Sequence, residues 1–222
     1  MSDVREAITR AHRDEWMRVV ASLTKRFGDL DIAEEAAAEA FAMAVERWPA
    51  DGVPPNPGAW LTTTANRKAI DRIRRENKRD DKHREALLVH DADPPEPLGA
   101  IDDDRLRLIF TCCHPALAME ARLALTLRMV VGLTVPEISR AFLAREAAIG
   151  QRITRAKAKI KAARIPFQVP TVEDLPARVG GVLALGQHDP ARRDERRGAR
   201  RAVAAPAREH DGHGPSPERV GE

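Results

Sequence analysis

The chain has 222 residues and a formal net charge of +3, a length that allows one or two small domains. It contains no run of about 18 apolar residues that would cross a membrane, and its N-terminus lacks the basic-then-apolar pattern of a secretion signal. The two cysteines are adjacent, which excludes an ordinary disulfide framework and indicates a reducing cytoplasm.

The first fifty residues predict two amphipathic helices, and no strand pattern appears anywhere in the chain. Apolar residues recur at helical spacing in both segments. Asp29 or Asp31 is placed to cap the second helix, and Trp48-Pro49 is expected to end it, with Trp48 in the core. The exposed side of this helix is predicted to be acidic and to carry Glu34, Glu35, Glu39 and Glu46.

A loop rich in proline spans residues 49–56 and leads into a basic helix. Asn56-Pro57 is a typical helix start, because asparagine caps helices and proline is preferred at the first helical position. The helix predicted over residues 57–79 begins apolar around Trp60. This tryptophan is either a base-stacking residue or a core residue, and its apolar surroundings favour the core. The rest of the helix is strongly basic, with Arg67, Lys68, Arg72, Arg74, Arg75, Lys78 and Arg79.

Positive charge is concentrated in two blocks with an acidic segment between them. Nine basic and four acidic residues lie within residues 67–84, whereas residues 91–104 hold six acids and no base. The second basic block begins near residue 145. This pattern is typical of two modules that each contact a polyanion and are joined by a linker that does not.

The two cysteines follow a helix predicted over residues 103–111. Adjacent thiols with a neighbouring histidine, Cys112-Cys113-His114, do not form a tetrahedral metal site, and no second ligand pair lies at metal spacing. We therefore expect a small buried pair at the end of a helix, with a redox-sensing pair as the alternative. No metal or other cofactor is predicted.

Residues 132–161 predict a helix-turn-helix; their sequence is GLTVPEISRAFLAREAAIGQRITRAKAKIK. Thr134 and Glu137 have the spacing of a capping box, and Gly132 is suited to ending the preceding helix. A short helix over residues 135–143 and a longer one from about Arg145 are expected to follow. This arrangement is used to place a helix in the major groove of DNA.

The longer helix has two different faces. At about 100° per residue, one narrow arc holds Ile149, Ile153, Ala156 and Ile160. A second arc, roughly 90° away, holds Arg145, Ala148, Arg152, Arg155 and Lys159. The first arc is expected to pack against neighbouring helices and the second to face DNA. An isolated basic helix would instead favour a solvated structural face, but the capping box and the short preceding helix favour DNA binding.

The C-terminal 37 residues differ in composition from the rest of the chain. Residues 186–222 contain eight Arg, no Lys and almost no large apolar residue. Such a segment cannot bury enough apolar surface to become ordered, so we expect a disordered tail. Its richness in Arg, Ala, Pro and Gly favours a reading-frame shift after residue 185 in a GC-rich gene; the alternative is a natural disordered tail.

Two blocks of the sequence resemble modules of bacterial sigma-70-type transcription initiation factors. DLDIAEEAAAEAFAMAVERWP and NPGAWLTTTANRKAIDRIRREN resemble their region 2, and the helix-turn-helix resembles their region 4. With only these two modules, the chain resembles members of the extracytoplasmic-function (ECF) group. RLRLIFTCCHPAL and the helices after it are similar to a subgroup that carries a C-terminal, tetratricopeptide-like helical extension. The resemblance covers residues 6–184.

The resemblance implies an all-α fold of two small helical modules. A region 2 helical bundle would span residues 1–80, a flexible acidic linker residues 81–102, and a region 4 helix-turn-helix residues 103–165. Residues 166–185 would begin a truncated C-terminal extension, and residues 186–222 would form the disordered tail.

The resemblance also implies a cytoplasmic sigma factor that binds core RNA polymerase, at the β′ clamp helices and the β flap, and directs initiation at promoters. The residues implied to bind polymerase are Asp29, Glu34, Glu35, Glu39 and Phe41. Those implied to read and melt the −10 element are Asn56, Trp60, Asn66, Arg67, Lys68, Asp71, Arg72, Arg74 and Arg75. Those implied to read the −35 element are Arg145, Glu146, Ala148, Gln151, Arg152 and Arg155. An anti-sigma factor is a partner that the resemblance leaves open.

Other classes of protein explain the sequence less well. An enzyme is disfavoured, because the chain has no glycine-rich phosphate loop, no nucleophile with a base placed by motif and no distinctive carboxylate pair. A stand-alone helix-turn-helix regulator leaves the basic helix of residues 57–79 unexplained. A truncated and impaired sigma factor is the third alternative.

Overall fold

The structure is a computed structural model that describes residues 2–80 and 101–186. Every regular element in these two ranges is helical, which confirms the predicted all-α class. The elements are α1 (Ser2–Phe27), α2 (Leu30–Asp51), α3 (Pro57–Asp80), α4 (Ile101–Cys112), α5 (Met119–Thr126), a π-helical segment (Leu127–Val131), α6 (Val135–Ala141), α7 (Glu146–Ala162) and α8 (Leu175–Gly186). Most of the predicted linker and nearly all of the predicted tail lie outside the described residues.

Helices α1, α2 and α3 pack together as the N-terminal module. The apolar stripes of α1 and α2 meet in a core that includes Trp16, Leu23 and Trp48. Asp29 is the N-cap of α2, as predicted: its Oδ1 accepts hydrogen bonds from the backbone N–H of Asp31 at 2.8 Å and of Ile32 at 3.2 Å. The cap satisfies two of the backbone donors that a helix start leaves open.

The end of α2 differs from the prediction. Trp48-Pro49 does not end the helix, which continues to Asp51 and stops at Gly52, where φ is 84°. The fixed φ of proline is compatible with helix, so a proline in the last turn costs mainly one hydrogen bond. The chain then turns into α3, whose start matches the prediction: Asn56 Oδ1 accepts from the N–H of Ala59 at 3.0 Å.

Helices α4 to α7 form the C-terminal module, which contains the predicted helix-turn-helix. The π-helical segment ends at Gly132, in the left-handed region with φ of 82°. Thr134 Oγ1 accepts from the N–H of Glu137, and the Glu137 carboxylate accepts from the N–H of Thr134 at 2.7 Å, so the capping box is confirmed. Helix α6 is slightly shorter than predicted, and α7 begins after its N-cap, Arg145.

The two modules pack against each other, a contact that the sequence did not predict. Helix α4 and the π-helical segment lie against α1. The indole N–H of Trp16 points at two backbone carbonyls of the π-helical segment, those of Arg128 and Met129, each 3.2 Å away. A further ion pair joins Lys25 of α1 to Asp104 of α4 at 3.4 Å. The described residues of both modules therefore form one packed unit rather than two separate modules.

The adjacent cysteines are buried at the end of α4, as expected for a structural pair. Cys113 Sγ lies 3.6 Å from Thr126 Oγ1. Burial raises the pKa of both thiols, which disfavours the reactive thiolate. Within the described ranges, no group of three or more His, Cys, Asp or Glu is placed to hold a metal ion.

Replacing Gly132 by alanine should destabilise the packed unit by about 2 kcal/mol, because two costs add. Left-handed backbone disfavours a Cβ, and that Cβ would lie 2.8 Å from both His12 Cε1 and Trp16 Cδ1. Urea unfolding followed by circular dichroism measures the loss. Gly150→Ala is the matched control, because a Cβ there meets nothing within 4 Å and alanine favours helix. Equal unfolding free energies for the two variants would contradict the prediction.

Candidate nucleic-acid interface

The predicted −35 face of α7 is accessible. The apolar arc of Ile149, Ile153, Ala156 and Ile160 is buried, as the periodicity predicted. Of the other residues predicted to read the −35 element, Arg145, Glu146, Gln151 and Arg155 are exposed, whereas Ala148 and Arg152 are half-buried. The Arg155 guanidinium donates to Gln151 Oε1 at 2.9 Å. This exposed face presents both guanidinium and amide groups, the two groups that most often bind guanine and adenine edges.

The residues of α3 predicted to read the −10 element are mostly basic, and only some of them form ion pairs with carboxylates of the described residues. Arg67, Arg74 and Arg75 are exposed, as is Asp71. Two other basic residues of α3 contact carboxylates of α2: Lys68 Nζ lies 3.4 Å from Glu39 Oε2, and Arg72 pairs with Glu35. Arg72 also donates to Glu76 at 2.8 Å. The exposed arginines are thus the part of this helix available to a polyanion.

The aromatic and amide residues at the start of α3 have mixed environments. Trp48 is in the core, as predicted, and Trp60 is half-buried against it, with ring centroids 5.5 Å apart in an edge-to-face arrangement. Asn56 is exposed but uses Oδ1 as the helix cap. Asn66 Oδ1 is buried and accepts no hydrogen bond from the residues that the structure describes.

Glu34 is not on an exposed acidic face, contrary to the prediction. Only 8% of it is exposed. Its carboxylate binds Lys157 of α7 and Arg128 of the π-helical segment. The prediction failed because both partners come from the other module, more than ninety residues away, which the periodicity of a single helix cannot reveal.

The other residues predicted to bind polymerase are also engaged within the chain. Asp29 Oδ2 pairs with Lys161 at 2.9 Å, while Glu35 and Glu39 contact α3 as described above. Phe41 is buried, and its ring packs edge-on against His12 at 4.9 Å between centroids. Asp31, which the prediction left out, is exposed and pairs with Lys157 at 2.8 Å.

The contacts between the modules shift the pKa of three groups. Burial alone would raise the pKa of Glu34, but the cations of Lys157 and Arg128 outweigh it and lower that pKa. The pKa of Asp29 is lowered in the same way, by Lys161 and the capped N–H groups against the effect of burial. The pKa of His12 is lowered chiefly by burial, and Arg128 adds to this while Glu137 opposes it.

Stability of the packed unit should therefore fall as the pH falls. Burial favours the neutral form of His12 in the folded protein. The free energy of unfolding therefore begins to fall as the pH drops below the usual histidine pKa of 6.5. The lowered pKa values of Glu34 and Asp29 contribute stability above their usual values of 4.5 and 3.8, and that contribution is lost in more acidic solution. Urea titrations from about pH 8 to about pH 3 measure this dependence. The variant His12→Gln should reduce the decline that begins near pH 6.5, and the part that remains belongs to His114, whose pKa is also lowered by burial. An unchanged curve would contradict the assignment to His12.

Sequence reasoning missed the residues that join the modules, above all Arg128, Lys157 and Lys161. A signal was present for two of them. At about 100° per residue, Lys157 and Lys161 lie on the opposite side of the buried arc of α7 from the arginines that face outward. Two lysines on that side indicate that the helix also contacts an acidic surface. Arg128 gave no comparable signal.

A helix-turn-helix with an exposed basic face, preceded by a separate basic helix, defines a DNA-binding protein of the all-helical class. The family model "Sigma-70 region 2" matches residues 8–79, and the family model "Sigma-70, region 4" matches residues 107–160. The chain belongs to the sigma-70 family of RNA polymerase sigma factors, and its pair of regions is of the ECF type.

The chain is also similar to an uncharacterised protein of Rhizobium meliloti (strain 1021). The two are 41% identical over 174 residues, which is 76% of this chain and 41% of that relative. The chain thus spans less than half of the relative's length. Among the described residues, no helix has both the length and the apolar character to cross a membrane.

Proposed function

We propose that the chain binds core RNA polymerase and starts transcription at promoters whose −35 element is read by α7 and whose −10 element is read at the start of α3. The observation that carries this proposal is the pair of exposed basic faces, one in each sigma region. A single DNA-binding helix would serve a repressor; two in this order suit two separated promoter elements.

The −35 contact is assigned to the exposed face of α7. Arg145 and Arg155 offer guanidinium groups that suit guanine or phosphate, and Gln151 offers an amide that suits adenine. Glu146 can accept a hydrogen bond from cytosine. Ala148 and Arg152 are half-buried and complete the predicted set. The helix backbone fixes these side chains relative to one another, as base reading requires.

The −10 contact is assigned to the loop before α3 and to that helix as far as Arg75. Melting DNA costs a few kcal/mol for each unstacked step, so the protein must hold the opened strand. Half-buried Trp60 offers a ring edge beside the core, and the amide group of Asn56 lies at the exposed helix start. The cations that hold the backbone are Arg67, Lys68, Arg72, Arg74 and Arg75, and the polar residues beside them are Asn66 and Asp71.

Polymerase binding is assigned to α2, through Asp29, Glu34, Glu35, Glu39 and Phe41. Acidic side chains around an aromatic ring suit a basic partner surface, here the β′ clamp helices. Region 4 would contact the β flap. We place this activity in the cytoplasm, where polymerase acts.

A stand-alone regulator is the second candidate function. Such a regulator binds its DNA site without polymerase, whereas a sigma factor requires core polymerase for specific promoter binding. The experiment is electrophoretic mobility shift of fragments from the gene's own upstream region, with the chain alone, core polymerase alone, and both together. We expect a specific complex only with both. Specific, salt-resistant binding by the chain alone, unchanged by polymerase, would replace the proposal by the regulator.

A further inference from the structure

Three cations of the C-terminal module occupy the acidic face of α2. Lys157 and Lys161 come from α7 and Arg128 comes from the π-helical segment, and they bind Glu34, Asp31 and Asp29. We propose that the chain closes on itself in this way and that the closed form blocks the surface that region 2 offers to RNA polymerase. The inference rests on the proposed docking function of α2.

Glu34 is the centre of the closed contact. Its side chain is 11% exposed, and that of Lys157 is 8% exposed. A partner cannot reach this carboxylate unless Lys157 and Arg128 withdraw. Withdrawal exposes the carboxylate to water and breaks both ion pairs, a loss that cations of a new partner can offset. A basic partner surface supplies such cations, so polymerase and the C-terminal module compete for one carboxylate.

Arg128 is held in place by contacts on three sides. Its Nη1 donates to the carbonyl of Leu133 at 3.0 Å, and its guanidinium lies 5.7 Å from the ring centroid of Trp16. The Trp16 indole in turn binds the backbone of the π-helical segment. Gly132 permits this approach, because a side chain there would collide with Trp16. These fixed contacts distinguish the closure from a surface ion pair, which contributes little.

The closure covers the two proposed interfaces unequally. Glu34, the central residue assigned to polymerase, is covered by Lys157 and Arg128 of the C-terminal module, whereas Phe41 is buried by His12 and Trp16 of its own module. By contrast, Arg145 and Arg155 of α7 remain exposed. The closed form therefore withholds the polymerase surface while it leaves the DNA-facing arginines accessible, and opening is the step that precedes polymerase binding.

The test measures the affinity of the full chain for core polymerase without DNA, using variants of the C-terminal module that leave the docking acids unchanged. Lys157→Met weakens the closed form, and we expect about tenfold tighter binding, since apparent affinity rises with the fraction of open chain. Arg140→Met is the matched control: this arginine is exposed on α6 of the same module, and neither proposed interface includes it. Its affinity should equal that of the wild type.

A second variant reports on the docking function itself. Glu35→Gln/Glu39→Gln removes two proposed docking charges that contact only α3 in the closed form, so binding should weaken. If this double variant binds more weakly but Lys157→Met binds like the wild type, docking stands and the closed form is overturned. If no variant binds polymerase, the proposed function fails and the inference with it.

Should Lys157→Met not fold, Lys161→Met is tested in its place, because Lys161 is 79% exposed. Loss of its ion pair should also tighten binding to polymerase.

Discussion

Replacing Glu34 by glutamine should lower the free energy of unfolding by about 3 kcal/mol, because it leaves two cations at a nearly buried site without their carboxylate. Glutamine keeps the shape of the side chain, so the loss reports on charge rather than on packing. Among the described residues, Lys157 then keeps its ion pair with Asp31, which is exposed, and Arg128 keeps its hydrogen bond to the carbonyl of Leu133. Urea unfolding at neutral pH measures the difference.

The control for this prediction is Glu35→Gln, one residue along the same helix. The Glu35 side chain is 48% exposed, and an exposed ion pair contributes less than about 1 kcal/mol. The comparison thus separates the buried contact between modules from ordinary surface charge. If the two variants lose the same small amount of stability, Glu34 does not hold the modules together as described.

Replacing Arg145 and Arg155 together by alanine should weaken binding of the polymerase complex to its −35 element by about 100-fold at fixed salt, since a bidentate arginine contributes about 1–3 kcal/mol. Both side chains are exposed, so the thermal midpoint of the protein should not change. Fluorescence anisotropy with a labelled promoter duplex measures the affinity. Repeating the measurement at several salt concentrations shows how many phosphate contacts the variant has lost.

Thr154→Ala is the matched control for the arginine variant. Thr154 is exposed on the same helix but on a different side from Arg145 and Arg155, so its loss should leave DNA affinity unchanged. If the double arginine variant binds the promoter as the wild type does, the −35 contact lies elsewhere on the protein.

Local signals in the sequence predicted the helices and the helix-turn-helix well. The capping box of Thr134 and Glu137, the left-handed Gly132 and the cap at Asn56 each involve residues within three or four positions of one another. The same holds for the apolar arc of α7, because helix periodicity alone fixes which residues share a face. These features follow from the chain without knowledge of tertiary structure.

Contacts between the modules could not be predicted in this way. Glu34 and Lys157 are 123 positions apart, and each lies in a segment whose own pattern is complete without the other. The acidic pattern of α2 predicted an exposed face, although Glu34 is enclosed by cations from the other module. Pro49 was also misjudged, because a proline in a last turn ends a helix in some contexts and is accepted in others. The roles of individual residues toward DNA and polymerase remain predictions.

The most direct test of the central claim is transcription in vitro from fragmented genomic DNA of the source organism, with core polymerase and with or without the chain. Sequencing of the 5′ ends of the transcripts identifies the start sites. We expect a small set of start sites that appears only with the chain and shares two sequence elements upstream. No such set, from a core enzyme that initiates normally with another sigma factor, would contradict the proposal that this protein directs promoter-specific initiation.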